Sequence, residues 1–234
     1  MNWFFVGVDF GQSVDFTAIA VMERAETTGD WDPAKFAHRK VVSLQLRYLQ
    51  RIPLGTPYPD VADRVVQITR WPELAGRCCL AVDGTGVGRA VVDLVRKADP
   101  GCTLLPVNIT SGMHETLEGG YYGVPKRDLI VGLQVLLQRG LLQIAAGMEF
   151  GPELVKEMMS MQVKITLSGY EQFAAAGGGW RRDGTHDDLV LAVALAYWNA
   201  QKIYPNEPAG SDQWWTNRHQ AEAARVLRKR LTNI

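Results

Sequence analysis

Three apolar segments, far apart in the chain, each present an aspartate at one end: Val6-Gly7-Val8-Asp9, Leu80-Ala81-Val82-Asp83, and His186-Asp187-Asp188 ahead of the apolar run Leu189 to Ala196. A carboxylate is not carried into a core alone, because an unpaired buried charge costs far more than the apolar neighbours return. A fold that buries these segments must therefore bring their acidic ends to a common edge and offset the charge there. The pattern predicts a carboxylate cluster built to hold divalent metal.

The first segment, Trp3 to Asp9, is rich in strand formers, too short for a helix and broken by Gly11. Phe16 to Met22 follows within a few residues, so Gly11 to Val14 is read as a hairpin link. Arg39 to Tyr48 alternates, with Val41, Leu44, Leu46 and Tyr48 among polar residues, and is predicted as a third antiparallel strand. Pro59 to Trp71 has helical spacing at Val61, Val65, Ile68 and Trp71. Cys78 to Val82 is a short β-type run ending at Asp83. Gly84, Gly86 and Gly88 then open a helix over Ala90 to Lys97, and Cys102 to Val107 is the next strand. Three antiparallel strands followed by alternating helices and strands give an α/β fold whose mixed central sheet continues in parallel with helical crossovers.

Leu189 to Trp198 is almost wholly apolar and Ala-rich, without Pro or Gly, and is expected to be a helix packed on the sheet. Asp187 and Asp188 sit at its start, where the helix dipole and free amide groups favour carboxylates. One of two adjacent aspartates suffices as a cap, which leaves the other for metal. His186 reads either as a polar cap or as a group that orients a water or leaving group. Asp15 reads as an ordinary hairpin residue or an outer-shell ligand. Pro125 is expected in the first turn of a helix, where proline is tolerated. Lys126 beside it is either solvated or within reach of a phosphate.

Pro152 to Gln162 is predicted as an amphipathic helix with Leu154, Val155, Met158 and Met161 inward, and Val163 to Leu167 with Tyr170 to Ala175 as a hairpin closed by Ser168-Gly169. Gly177 to Gly179 and then Trp180, Arg181 and Arg182 form a basic loop ahead of the third acidic segment. Its residues suit contact with DNA phosphates or stacking on a base, or simply keep an exposed loop soluble.

A chain of 234 residues fits one sizeable domain with a full core. Its 25 basic and 25 acidic residues cancel, so no global field draws it to nucleic acid and any DNA surface must be local. Cys78, Cys79 and Cys102 fall in apparent core strands without the spacing of a zinc site or disulfide framework, which points to a reducing, intracellular setting. The brief apolar start lacks a basic leader, and the run from Leu189 is too short for a membrane span, so neither secretion nor a membrane partner is expected. Residues 1–204 are read as the domain. Residues 205–234 are read as a Pro- and Gly-containing linker and a basic helix with Ala221, Ala224, Leu227 and Leu231 on one face, suited to packing, to DNA or to a partner.

From Val6 to about Trp198 the chain resembles the nuclease domain of the large terminase subunit of tailed bacteriophages, an RNase H-like fold related to Holliday-junction resolvases. The likeness rests on Asp9 before a Gly-containing turn with Asp15 beyond it, on Asp83 before Gly84-Thr85-Gly86-Val87-Gly88, on Val124-Pro125-Lys126-Arg127-Asp128-Leu129, and on His186-Asp187-Asp188-Leu189-Val190 with its Ala-rich helix. The resemblance implies a metal-dependent endonuclease that cuts concatemeric double-stranded phage DNA during packaging, using two Mg2+ or Mn2+ ions. Hard cations prefer oxygen ligands, and paired ions serve both the attacking and the leaving oxygen of a phosphodiester. It implies Asp9 as bridging ligand, Asp83 as ligand to one ion and Asp188 to the other, with Asp187 competing for that last role. It also implies an ATPase motor domain, a small terminase subunit and the portal protein as partners, and a place in the host cytoplasm rather than in the mature virion. The chain has no GxxxxGK[ST] loop, since Gly84 to Arg89 lacks the lysine, so translocation is not expected of it. Three rival readings remain open: a resolvase for branched DNA, an actin-, Hsp70- or sugar-kinase-like ATP-binding domain suggested by Asp9-Phe10-Gly11 and Asp83-Gly84-Thr85-Gly86, and a non-catalytic partner-binding module.

Overall fold

A computed structural model of the chain describes residues 3–11, 15–165, 171–175 and 186–203. The elements run β1 (Trp3–Asp9), β2 (Thr17–Asp32), β3 (Ala37–Ile52), α1 (Tyr58–Thr69), β4 (Cys78–Asp83), α2 (Gly88–Lys97), β5 (Thr103–Thr110), β6 (Thr116–Glu118), β7 (Tyr121–Pro125), α3 (Lys126–Gln138), β8 (Leu142–Ile144), α4 (Gly151–Ser160), β9 (Met161–Ile165), β10 (Glu171–Ala175) and α5 (Asp188–Ile203). Chain contacts group the described residues up to Asn199 as one compact unit, and a second unit begins at Ala200. Described residues of the second are limited to the last turn of α5.

Eight strands form one sheet in the order β6-β7-β5-β4-β1-β2-β3-β8. β1, β2 and β3 are antiparallel, while β4 runs parallel to β1, β5 to β4, β7 to β5 and β8 to β3. The three predicted antiparallel strands and the parallel continuation are therefore present. Two features depart from expectation. β2 and β3 are each 16 residues long and continue as a two-stranded ribbon past the end of β1, since Trp3 pairs with Arg24 and β2 from Ala25 onward pairs with β3 alone. The short strands β6 and β7 precede α3, and Pro125 closes β7 and caps α3 rather than lying inside its first turn.

Alternation along β1 sorts its side chains between two layers. Phe4, Val6 and Val8 enter a core with Val61, Val65 and Ile68 of α1 and Val91, Val92 and Val95 of α2. Phe5, Gly7 and Asp9 share the opposite face. There α5 lies so close that a Cβ on Gly7 would run into the Ala192 carbonyl oxygen and the Ala196 amide nitrogen. Leu189 to Ala196 are all buried, each large apolar side chain contributing about 1.5–3 kcal/mol. Asn199 secures the same face by donating to the carbonyl oxygens of Cys79 at 2.7 Å and Val6 at 3.4 Å. Gly7→Ala should therefore cost about 1–3 kcal/mol or more through overpacking, read as a lowered thermal midpoint. An unchanged midpoint would contradict this packing of α5 on β1.

The helix predicted at Pro152 to Gln162 is α4, but its inward face differs. Leu154 and Glu157 are buried, whereas Val155 is 46% exposed and Met161 begins β9. β9 and β10 form the expected antiparallel hairpin, with Met161 opposite Ala175. Its closing residues Ser168 and Gly169 lie outside the described residues, as do the linker and basic tail expected over 205–234. No helix among the described residues is long and apolar enough to cross a membrane.

Candidate functional site

Asp9 ends β1 and Asp83 ends β4. The parallel register that pairs Gly7 with Ala81 and Val8 with Val82 leads directly to these two acids side by side, on the face covered by α5. The N-terminus of α5 brings Asp187 and Asp188 to the same edge. Burial pushes the Asp9 carboxyl well above the usual carboxylate range, and the negative charges of Asp83, Asp187 and Asp188 push it further against the opposing charge of Lys126. Burial also raises Asp83. The Thr85 hydroxyl at 2.6 Å, the Thr85 amide at 2.9 Å, Asp9 and the Ile109 amide oppose that rise by hydrogen bonding. Both adjoining carboxyls are thus raised, and the groups around them offset the effect of burial only in part.

The two aspartates at the start of α5 are placed differently. The carbonyl oxygen of Asp187 accepts the first helical hydrogen bond, from the Leu191 amide at 2.9 Å, so Asp187 is the residue ahead of the helix proper. Its side chain, about a quarter exposed, meets Lys126 Nζ at 2.7 Å. Asp188 is buried, and Arg51 of β3 grips it with Nε at 2.7 Å and Nη2 at 3.1 Å. The same Nη2 donates to Glu157 of α4, whose other oxygen accepts the Val190 amide at 3.1 Å. Phe16 lies 5.0 Å under the Arg51 guanidinium and meets the His186 ring edge-on at 5.1 Å. His186 Nδ1 stands 3.9 Å from Asp188.

Arg51 and Glu157 were not anticipated from the sequence. The signal available was a charge at an inward strand position of β3 and an acid within the apolar stripe of α4. One guanidinium serves two buried carboxylates, and burial, then the Asp188 charge, pushes Glu157 up to about 8. The folded chain thus keeps on Glu157 a proton that the unfolded chain releases near its ordinary value of 4.5. The native state binds more protons across that window, so stability falls as pH rises from about 4.5 to about 8. Glu157→Gln should flatten that slope in urea unfolding with EDTA present; an unaltered slope would place its origin elsewhere.

Asp15 lines a cleft of about 250 Å³ with Gly11, Thr17, Pro53, Thr56 and Tyr58. Trp180, Arg181 and Arg182 fall outside the described residues. Among the described residues no three histidine, cysteine, aspartate or glutamate side chains stand so that they could hold an ion as placed. The donor set nonetheless fits a hard cation: it is all oxygen, and Asp9 faces three acids against one lysine.

No protein-family model and no curated protein matches this sequence. Among solved structures, the chain is similar to the large terminase nuclease from thermophilic phage G20c, with 22% identity over 84% of this chain and 82% of that one and a TM-score of 0.57. The G20c nuclease with bound magnesium gives 23% identity over 84% and 81%, also with a TM-score of 0.57. The nuclease domain of the large terminase subunit gp2 of bacterial virus Sf6 gives 14% identity over 88% and 89%, with a TM-score of 0.56. The chain thus has the RNase H-like fold of the large terminase nuclease domains.

Proposed function

We propose that this chain is a metal-dependent DNA endonuclease of a phage packaging terminase, cutting concatemeric double-stranded DNA. The observation that carries the reading is the under-compensated carboxylate edge of Asp9 and Asp83, set beside the acidic start of α5. Support comes from the fold shared with terminase nucleases, one of them with bound magnesium. Asp9, Asp83 and Asp187 would hold the metal. When bound, two Mg2+ or Mn2+ ions would supply an activated water and charge neutralisation at the leaving oxygen.

Asp187 is preferred to Asp188 because it meets a lysine, Lys126, at a part-exposed position, whereas Asp188 has both oxygens engaged by buried Arg51. Lys126 holds Asp187 and would be released to meet phosphate if that carboxylate took up metal. Asp188, through Arg51 and Glu157, fixes the start of α5. His186, packed on Phe16, is placed to orient a water at the same edge. Asp15 remains an outer candidate, and Trp180, Arg181 and Arg182 are proposed for DNA contact. A motor domain, the small subunit and the portal would set position on the DNA in the host cytoplasm.

The test is incubation with supercoiled plasmid, linear duplex and a four-way junction in Mg2+, Mn2+ or EDTA. Nicking and linearisation with either metal and none in EDTA is the expected result. Strong preference for the junction would favour a resolvase, and ATP binding without any cleavage would favour the actin-like reading.

A further inference from the structure

The chain's described arginines mostly spend their charge on its own acids: Arg24, Arg39, Arg47, Arg51, Arg96 and Arg127 each face a carboxylate. Arg89 does not. It lies exposed in the first turn of α2, which carries no acid, six residues after Asp83. Its guanidinium rests over the Tyr121 ring, 4.8 Å from the centroid. That ring lies against the backbone of Gly84, where a Cβ would come within 2.7 Å of Tyr121 Cε1 and 3.4 Å of Asn108 Oδ1. Asp83, Gly84, Tyr121 and Arg89 therefore form a packed row from the acidic edge out to solvent, with Asn108 alongside.

A row built this way has chemical consequences. Stacking restrains the guanidinium in advance without using its donors, so less conformational freedom is lost when an anion arrives. The plane of donors matches the paired oxygens of a phosphodiester, and Asn and Tyr are among the neutral side chains that commonly accompany arginine on a nucleic-acid backbone. The chain's balanced charge requires that any DNA surface be local. This row supplies a cation at its solvent end, leading away from the acidic edge whose repulsion of phosphate has to be offset.

We propose that Arg89, held by Tyr121 and accompanied by Asn108, is a phosphate-binding subsite for the DNA strand flanking the scissile bond, an inference that rests on the nuclease reading above. Gly84 is part of the device, because any side chain there would lift Tyr121 and with it Arg89.

The test is fluorescence anisotropy of the full chain with a labelled duplex oligonucleotide in Ca2+, over a range of salt. Arg89→Gln, Arg89→Lys and Tyr121→Leu are compared with Arg139→Gln, an exposed arginine on the C-terminal side of α3, and thermal midpoints confirm folding. Arg89→Gln should weaken binding roughly 5- to 10-fold at low salt and reduce the slope of log affinity against log salt by about 0.9. Arg89→Lys should keep that slope with a smaller loss of affinity, Tyr121→Leu should lose affinity with the slope retained, and Arg139→Gln should match the native chain. Native affinity and native slope in Arg89→Gln would overturn the subsite and leave the nuclease reading standing. A native chain that neither binds duplex nor cleaves plasmid would overturn both.

Discussion

Asp9→Asn should abolish metal-dependent cleavage and at the same time raise the thermal midpoint of the metal-free protein. Both effects have one cause. Burial and three neighbouring acids make a negative charge at Asp9 unfavourable in the folded chain, and a neutral isostere removes that repulsion while keeping the shape. Relief of this kind commonly returns about 0.5–2 kcal/mol, or roughly 2–4 °C per kcal/mol for a chain of this size. Cleavage should fall by at least about 100-fold, since loss of even an outer-shell partner of a metal ligand costs 10- to 100-fold. The same unfavourable charge gives metal-free stability a pH dependence. The native state retains protons that the unfolded chain releases above 3.8, so stability declines as pH rises from there, and added Mn2+ should restore it. A variant less stable than the native chain in EDTA would show that Asp9 is a structural acid.

Arg51→Met carries the largest expected loss of stability. Arg51 is 14% exposed, and its partners Glu157 and Asp188 are 6% and 4% exposed at their side chains. Above about pH 8, where Glu157 is ionised as well, removing the one cation leaves two buried carboxylates without a counter-charge, which costs about 3–5 kcal/mol, or roughly 6–20 °C in thermal midpoint. Neutralising the acids as well, in Arg51→Met with Glu157→Gln and Asp188→Asn, should recover much of the loss, because the penalty is uncompensated charge rather than lost packing. A triple variant no more stable than Arg51→Met would locate the cost in the arginine's contacts, such as its stacking on Phe16.

What the sequence made legible was local. Val6 to Asp9 and Leu80 to Asp83 carry their strand character and their terminating glycines within a few residues, and the Ala-rich run after Asp188 reads as a helix without reference to anything else. The meeting of Asp9 and Asp83 at one edge was expected from their acidic strand ends, while the parallel pairing of β1 with β4 that brings it about is seen in the structure. The clamp on Asp188 was not legible because its members are far apart in sequence: Arg51 and Glu157 are separated by 106 residues, Arg51 and Asp188 by 137. In α4 the apolar pattern pointed Val155 inward, whereas the structure turns Glu157 in to meet Arg51 and leaves Val155 outside. β6 has three exposed residues and no apolar alternation, and β7 merges into the helix start at Pro125, so neither announces itself as a strand. Arg89 was passed over for the same reason as Arg51. Its value comes from Tyr121, which only the pairing of β7 with β5 brings beside Gly84.

The claim on which the rest depends is that Asp9 and Asp83 form a metal centre, and titration calorimetry with Mn2+ tests it without requiring any substrate. Saturable binding by the native chain is expected, lost in Asp9→Asn and in Asp83→Asn, and weakened more by Asp187→Asn than by Asp188→Asn. Native protein that takes up no Mn2+, or asparagine variants that bind it as well as the native chain, would contradict it.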